Sequence, residues 1–194
     1  MILSFACIFK FFLVIIVRFF SRIIISDLYS NYFKFKINDV LIKMNSLLIQ
    51  EPDSFEKLGL PIGLVINCAI AYNQCPTGPG HYGPDIEVKI IDLLDDPKHG
   101  EPHEHATDAL PFFSESNAAI AKTISEGKGV LIHCYGSISR SAVLLIAYLM
   151  ESQNLSAEEA TAVLKSKWDA TWPNDTFVRN LIDYEVLRTG KEYK

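Results

Sequence analysis

The stretch HCYGSISRS, residues 133–141, sets a thiol at Cys134 and a guanidinium at Arg140 with five small or apolar residues between them. An apolar run, Val130-Leu131-Ile132, precedes it, and a longer one, Ala142 to Met150, follows. The pattern reads as strand, loop, helix. A loop of this length can curl so that its backbone N–H groups converge on one point. The helix behind it adds unsatisfied N–H groups and the positive end of its dipole. Arg140 can then grip two oxygens of a phosphate as a planar fork. The same field favours a thiolate at Cys134, and a thiolate facing a bound phosphate is a nucleophile in place.

The flanking elements must hold that loop. LVINCA (64–69) and VLIH (130–133) read as buried strands, and IEVKII (86–91) as an alternating one. FFSESNAAIAKTISEG (112–127) has apolar residues at helical spacing and stops at Gly127. RSAVLLIAYLMESQ (140–153) reads as a central helix, and NLSAEEATAVLKSKW (154–168) as one opened by a capping box. DTFVRNLIDYEVLRTG (175–190) reads as a last amphipathic helix, and PDSFEKLGLP (52–61) as a short earlier one. QCPTGPGHYGPD (74–85) and DLLDDPKHGEPHEHATDA (92–109) read as loops. Strands alternating with helices imply an α/β fold, with a central mixed, mostly parallel sheet flanked by helices. Ligands of such sheets bind beyond the carboxyl ends of the strands, where residues 134–140 fall.

Composition narrows the classes. With 194 residues and 49% apolar content, the chain can bury one sizeable core. A net charge of −5 with no basic stripe argues against nucleic acid as a partner. Cys7, Cys68, Cys75 and Cys134 form neither a disulfide framework nor a CxxC pair, which suits a reduced, cytoplasmic setting. Residues 1–35 form an apolar leader, and residues 36–190 the domain. Within the leader, residues 1–25 reach spanning length only by tolerating Lys10, with Arg18 and Arg22 further on. A membrane-anchoring or interfacial helix and a buried packing helix are both open readings. Three histidines in HGEPHEH (99–105) read as a pH-sensitive or partner-contacting surface loop rather than a metal site, because Pro102 interrupts any regular spacing.

HCYGSISRSAVLLIAYLM resembles the signature of the dual-specificity protein phosphatases, within the cysteine-dependent phosphatase superfamily. The likeness runs from about Asp39 to Glu185 and takes in FEKLGLPIGLVINCA, NLSAEEATAVLK and PNDTF. It implies that Cys134 attacks phosphorus and Arg140 binds the phosphate. It implies also that backbone amides of Tyr135, Gly136, Ser137, Ile138, Ser139 and Arg140 complete the cradle. Ser141 would ease departure of the thiolate, and His133 would support the loop from behind. No cofactor or metal is implied. The general acid should be an Asp four residues beyond an Ile on the preceding strand. Matching that Ile to Ile91 selects Asp95, with Asp96 second and Asp92 third.

The resemblance implies a phosphorylated protein as substrate. A loop without basic residues disfavours inositol lipids, and a shallow pocket should accept phosphotyrosine, phosphoserine and phosphothreonine. Trp168, Trp172, Pro173 and Asn174 are candidates for one wall, with core packing an equally open reading for the two Trp. The family's usual Ala-Gly pair is here Gly136-Ser137, so a positive φ at 137 would strain Ser, and Gly136 could shift that freedom one residue back. Cys68 ends a strand expected beside that of Cys134, where a reversible disulfide could block the nucleophile.

Overall fold

The computed structural model describes residues 61–69, 82–95 and 106–191, and the backbone of three short strands nearer the N-terminus. Those strands are β1 (Leu13–Val17), β2 (Phe33–Ile37) and β3 (Val40–Met44). They form an antiparallel sheet of order β1-β3-β2, with Leu13 opposite Met44 and Val17 opposite Val40. A helix was the expected form of residues 1–25, and at 13–17 the chain is instead a strand. LVIIV is rich in β-branched side chains, whose stiff rotamers favour extended backbone. Among the described residues no helix is long and apolar enough to cross a membrane.

The second sheet carries the functional loop. β4 (Ile62–Asn67) lies between β5 (Glu87–Ile90) and β6 (Gly129–His133), and both pairings are parallel. β6 is buried throughout and β4 nearly so, as their unbroken apolar runs require. β5 is only partly covered and keeps its alternation. Asn67 pairs with Ile90 on one side and His133 on the other, so the carboxyl ends of all three strands finish together.

Among the described residues, four helices accompany this sheet. α1 (Leu110–Ser125) ends at Gly127, whose φ of 74° suits glycine. α2 (Arg140–Ser152) is buried along nearly its whole length and packs against the other three helices and β6. α3 (Ala157–Lys167) opens with the capping box: Ser156 Oγ accepts the Glu159 N–H at 3.1 Å, and Glu159 accepts the Ser156 N–H at 2.9 Å. α4 (Asp175–Thr189) starts at Asn174 and ends at the left-handed Gly190. Residues 52–60 of the expected short helix, residues 74–81 of the Gly/Pro-rich loop, Asp96 and the HGEPHEH segment lie outside the described residues.

The far end of α2 is pinned by a polar knot. Asn117 on α1 donates to Glu151 at 2.7 Å and to the Ala147 carbonyl at 3.3 Å on α2. The Tyr184 hydroxyl of α4 donates to the same Glu151 carboxylate. Burial, then Glu151, pushes the Tyr184 hydroxyl up to about 12, and the Tyr184 bond holds the Glu151 carboxyl below its usual range. A carboxylate with a depressed folded-state pKa contributes stability above its unfolded value of 4.5 and loses it as pH falls. Tyr184→Phe should therefore cost most above pH ~5, and its deficit should narrow as acid protonates Glu151. Urea melts of parent and variant between neutral and acidic pH measure this; a deficit constant with pH would exclude the linkage.

Candidate active site

Cys134 follows the last residue of β6 and is 1% exposed. Its sulfur accepts the Ser137 N–H at 3.1 Å, so the loop does curl back over the thiol. Ser141 Oγ lies 3.3 Å from the same sulfur, from the first turn of α2. Behind the loop, His133 Nε2 and the Tyr82 hydroxyl share a hydrogen bond of 2.9 Å. The His133 carbonyl accepts the Cys68 N–H at 2.8 Å, which continues the β4–β6 ladder one residue past the strands.

Ser139 occupies the N-cap position of α2, yet its hydroxyl caps nothing. It donates instead to Asp95 Oδ1 at 2.8 Å and accepts the Asn174 N–H at 3.2 Å. The first N–H groups of α2 therefore carry no side-chain cap and keep their affinity for an anion. Arg140 is only 5% exposed. Its Nε lies 3.4 Å from Asp95 Oδ2, and its Nη1 reaches the Cys68 carbonyl at 3.5 Å.

The structure brings Asp95, rather than Asp92, to the loop: Asp95 is half-buried against Ser139 and Arg140, while Asp92 is exposed. Asn174 is the residue whose part was not foreseen beyond a place in a wall. Its Nδ2 donates to Asp95 Oδ1 at 2.9 Å, and its Oδ1 accepts the Phe177 N–H at 2.9 Å. One amide thus caps α4 and fixes Asp95. An Asn placed just before an amphipathic run is a visible N-cap signal, but the second bond, 79 residues away in sequence, is not. Trp168 is half-buried against the core, whereas Trp172 is 55% exposed.

Ser137 takes φ = +55°, while Gly136 is not among the left-handed residues. The freedom was not shifted back onto Gly136; the strained position falls on Ser137 itself. Its side chain is fully buried, and its hydroxyl makes no hydrogen bond among the described residues.

A parallel sheet that presents a C-x5-R loop to the uncapped start of a buried helix defines a cysteine-dependent phosphatase fold. Comparison with known proteins narrows this. The family model "Dual specificity phosphatase, catalytic domain" matches residues 48–186, and the chain belongs to that family. It is 30% identical over 109 residues to dual specificity protein phosphatase 1B of Arabidopsis thaliana, covering 56% of this chain and 60% of that protein. It is 27% identical over 139 residues to dual specificity protein phosphatase 12 of Mus musculus, covering 72% of this chain and 37% of that one. Human DUSP28 superposes with a TM-score of 0.57 at 26% identity, over 71% of this chain and 87% of that one. The human tyrosine phosphatase-like serine/threonine/tyrosine-interacting protein gives the same TM-score, 0.57, at 25% identity, over 69% and 82%. The chain thus spans less than two thirds of the length of the curated relatives it matches.

A non-glycine residue in the left-handed region costs about 1–2 kcal/mol, and glycine returns roughly 0.5–1 kcal/mol of that as chain entropy. Ser137→Gly should stabilise the protein by about 1 kcal/mol, a rise of a few degrees in Tm. Ser137→Ala, which keeps the Cβ, is the control in thermal melts. Equal Tm values for the two variants would remove backbone strain from the account.

Proposed function

We propose that this chain is a protein phosphatase that hydrolyses phosphotyrosine and phosphoserine or phosphothreonine through a phosphocysteine. The observation that carries this reading is the position of the Cys134 sulfur. It lies against the Ser137 N–H and the Ser141 hydroxyl, at the uncapped start of α2. Arg140 and the amides of residues 135–140 bind the phosphate oxygens and supply the positive field on the transition state. The Cys134 thiolate attacks phosphorus, the P–O bond breaks, and Asp95 gives its proton to the leaving oxygen. Water then attacks the phosphocysteine and yields its proton to Asp95. The S–P bond breaks, and the Ser141 hydroxyl donates to the returning thiolate. Ser139 and Asn174, both bonded to Asp95 Oδ1, orient this acid.

A panel of an aryl phosphate, phosphotyrosine and phosphothreonine peptides and an inositol lipid tests the assignment. Cys134→Ser should abolish turnover of every member while phosphate still binds, and surviving turnover would sink the mechanism. Asp95→Ala should lower kcat on phosphothreonine by about 10²–10⁴-fold and on an activated aryl phosphate far less. Preferential turnover of the lipid would move the substrate to the non-protein class. Phosphate binding without turnover in the parent would make the chain a binding module.

The same reading gives Cys68 a part. With Asn67 opposite His133, the residues that follow, Cys68 and Cys134, end neighbouring parallel strands. Strands pair about 4.8 Å apart, within the roughly 4.4–6.8 Å that a disulfide needs between Cα atoms. Burial, then the Cys134 sulfur, pushes the Cys68 thiol up, with Arg140 opposing, so Cys68 rests protonated. A peroxide would convert the Cys134 thiolate to a sulfenic acid, and the Cys68 thiol would displace water from it to close a disulfide. Mild peroxide should inactivate the parent reversibly, with recovery on adding thiol and a mass loss of two hydrogens. Cys68→Ser should instead progress to irreversible oxidation; equal recovery of the two proteins would exclude the pair.

A further inference from the structure

β5 is the outer strand of the second sheet, and among the described residues it pairs with β4 alone. In a parallel ladder, alternate residues of a strand turn both backbone groups to the same neighbour. The Ile91 N–H donates to the Asn67 carbonyl at 3.1 Å, and Asn67 stands opposite Ile90. Glu87, Lys89 and Ile91 therefore turn inward to β4. The N–H and C=O groups of Val88 and Ile90, and of Ile86 just before the strand, point away from the sheet. No hydrogen bond answers them among the described residues. Ile90 is also 49% exposed, a large apolar side chain at this edge. Such an edge is a template for a further strand.

The sequence of the edge fits itself. Ile86-Glu87-Val88-Lys89-Ile90 has an acid before Val88, a base after it and isoleucine at either end. Laid antiparallel on a second copy, about a two-fold axis at Val88, it sets Val88 opposite Val88 and Ile86 opposite Ile90. These are hydrogen-bonded pairs, made by the outward groups. Glu87 then faces the partner's Lys89, and Lys89 the partner's Glu87, at the positions where side chains approach most closely. The neighbouring registers lack this match. Centred on Ile90, the pairing sets Glu87 against the buried Leu93; centred on Ile86, against Asp85. Lys89 already pairs with Glu115 of α1 at the surface, but an ammonium has three donors and can take a second carboxylate. We infer that β5 pairs antiparallel with β5 of a second copy of this chain, joining two sheets into one. So short an edge buries little area, so the dimer is weak and forms as concentration rises. The inference does not depend on the catalytic reading.

Sedimentation velocity on the full chain, from micromolar to millimolar concentration, tests it. The parent should pass from monomer to dimer across that range. Glu87→Lys, which sets like charges opposite each other twice, should weaken association by about tenfold, and Lys89→Glu should do the same. An equimolar mixture of these two variants should regain the parent's affinity, because each supplies the charges that the other lacks. Val88→Pro removes an outward N–H without touching the β4 ladder and should stay monomeric, with circular dichroism reporting its fold. A parent that remains monomeric, an association that Glu87→Lys leaves unchanged, or a mixture that associates no better than its parts overturns the pairing. Should Val88→Pro fail to fold, the mixture decides alone.

Discussion

A guanidinium only 5% exposed must be answered by its surroundings, and much of the site follows from answering Arg140. Burying a charge without partners costs several kcal/mol in order of magnitude, so the chain surrounds it with acceptors. The Asp95 carboxylate supplies one at 3.4 Å and the Cys68 carbonyl another at 3.5 Å. Each answer imposes a further demand. Cys68 can offer its carbonyl because its N–H is already held by His133, at the shared end of β4 and β6. Asp95 can face Arg140 with Oδ2 because Ser139 and Asn174 hold Oδ1. The ends of two strands, the start of α2 and the start of α4 are thus fixed together around one side chain.

Ser139 and Ser137 show two ways in which the loop departs from local preference. Serine at an N-cap ordinarily bonds the exposed N–H groups of its own helix. Ser139 gives that up for Asp95 and leaves the start of α2 open to an anion. Ser137 stands at φ = +55°, where glycine is the easy choice, and buries a hydroxyl that has no hydrogen-bond partner among the described residues. The first departure has a clear return in anion affinity. The second has none visible in the contacts of its side chain, although the Ser137 N–H does bond the Cys134 sulfur, so its backbone position serves the thiol. Rules of local structure tend to fail where a site demands geometry that the rest of the fold then supports.

How much of this could be read in advance depended on range. β4, β5, β6 and the four helices follow from apolar periodicity, glycine stops and one capping box, all signals within a few residues of one another. Cys134 and Arg140 were legible because strand, loop and helix are contiguous. Asp95 came from the family's spacing rather than from chemistry visible around it. The bond from Asn174 to Asp95 was hidden because it is made in space, not along the chain. The apolar stretch near the N-terminus shows the opposite difficulty. An unbroken apolar run satisfies helix and strand alike, and at LVIIV the β-branched content and the pairing with β3 decide for the strand.

The two ends of α2 divide the work of the fold. At its N-terminus the helix faces the loop and must keep free N–H groups, which leaves that end without the usual cap. A helix left without a side-chain cap at one end gains from anchoring at the other. Asn117 and Tyr184 supply it by binding Glu151, and Phe113 packs edge-on against Tyr184 with ring centroids 5.2 Å apart. α1, α2 and α4 are thereby locked at the end remote from the chemistry. The cradle can then be polar and partly unsatisfied without loosening the core beneath it.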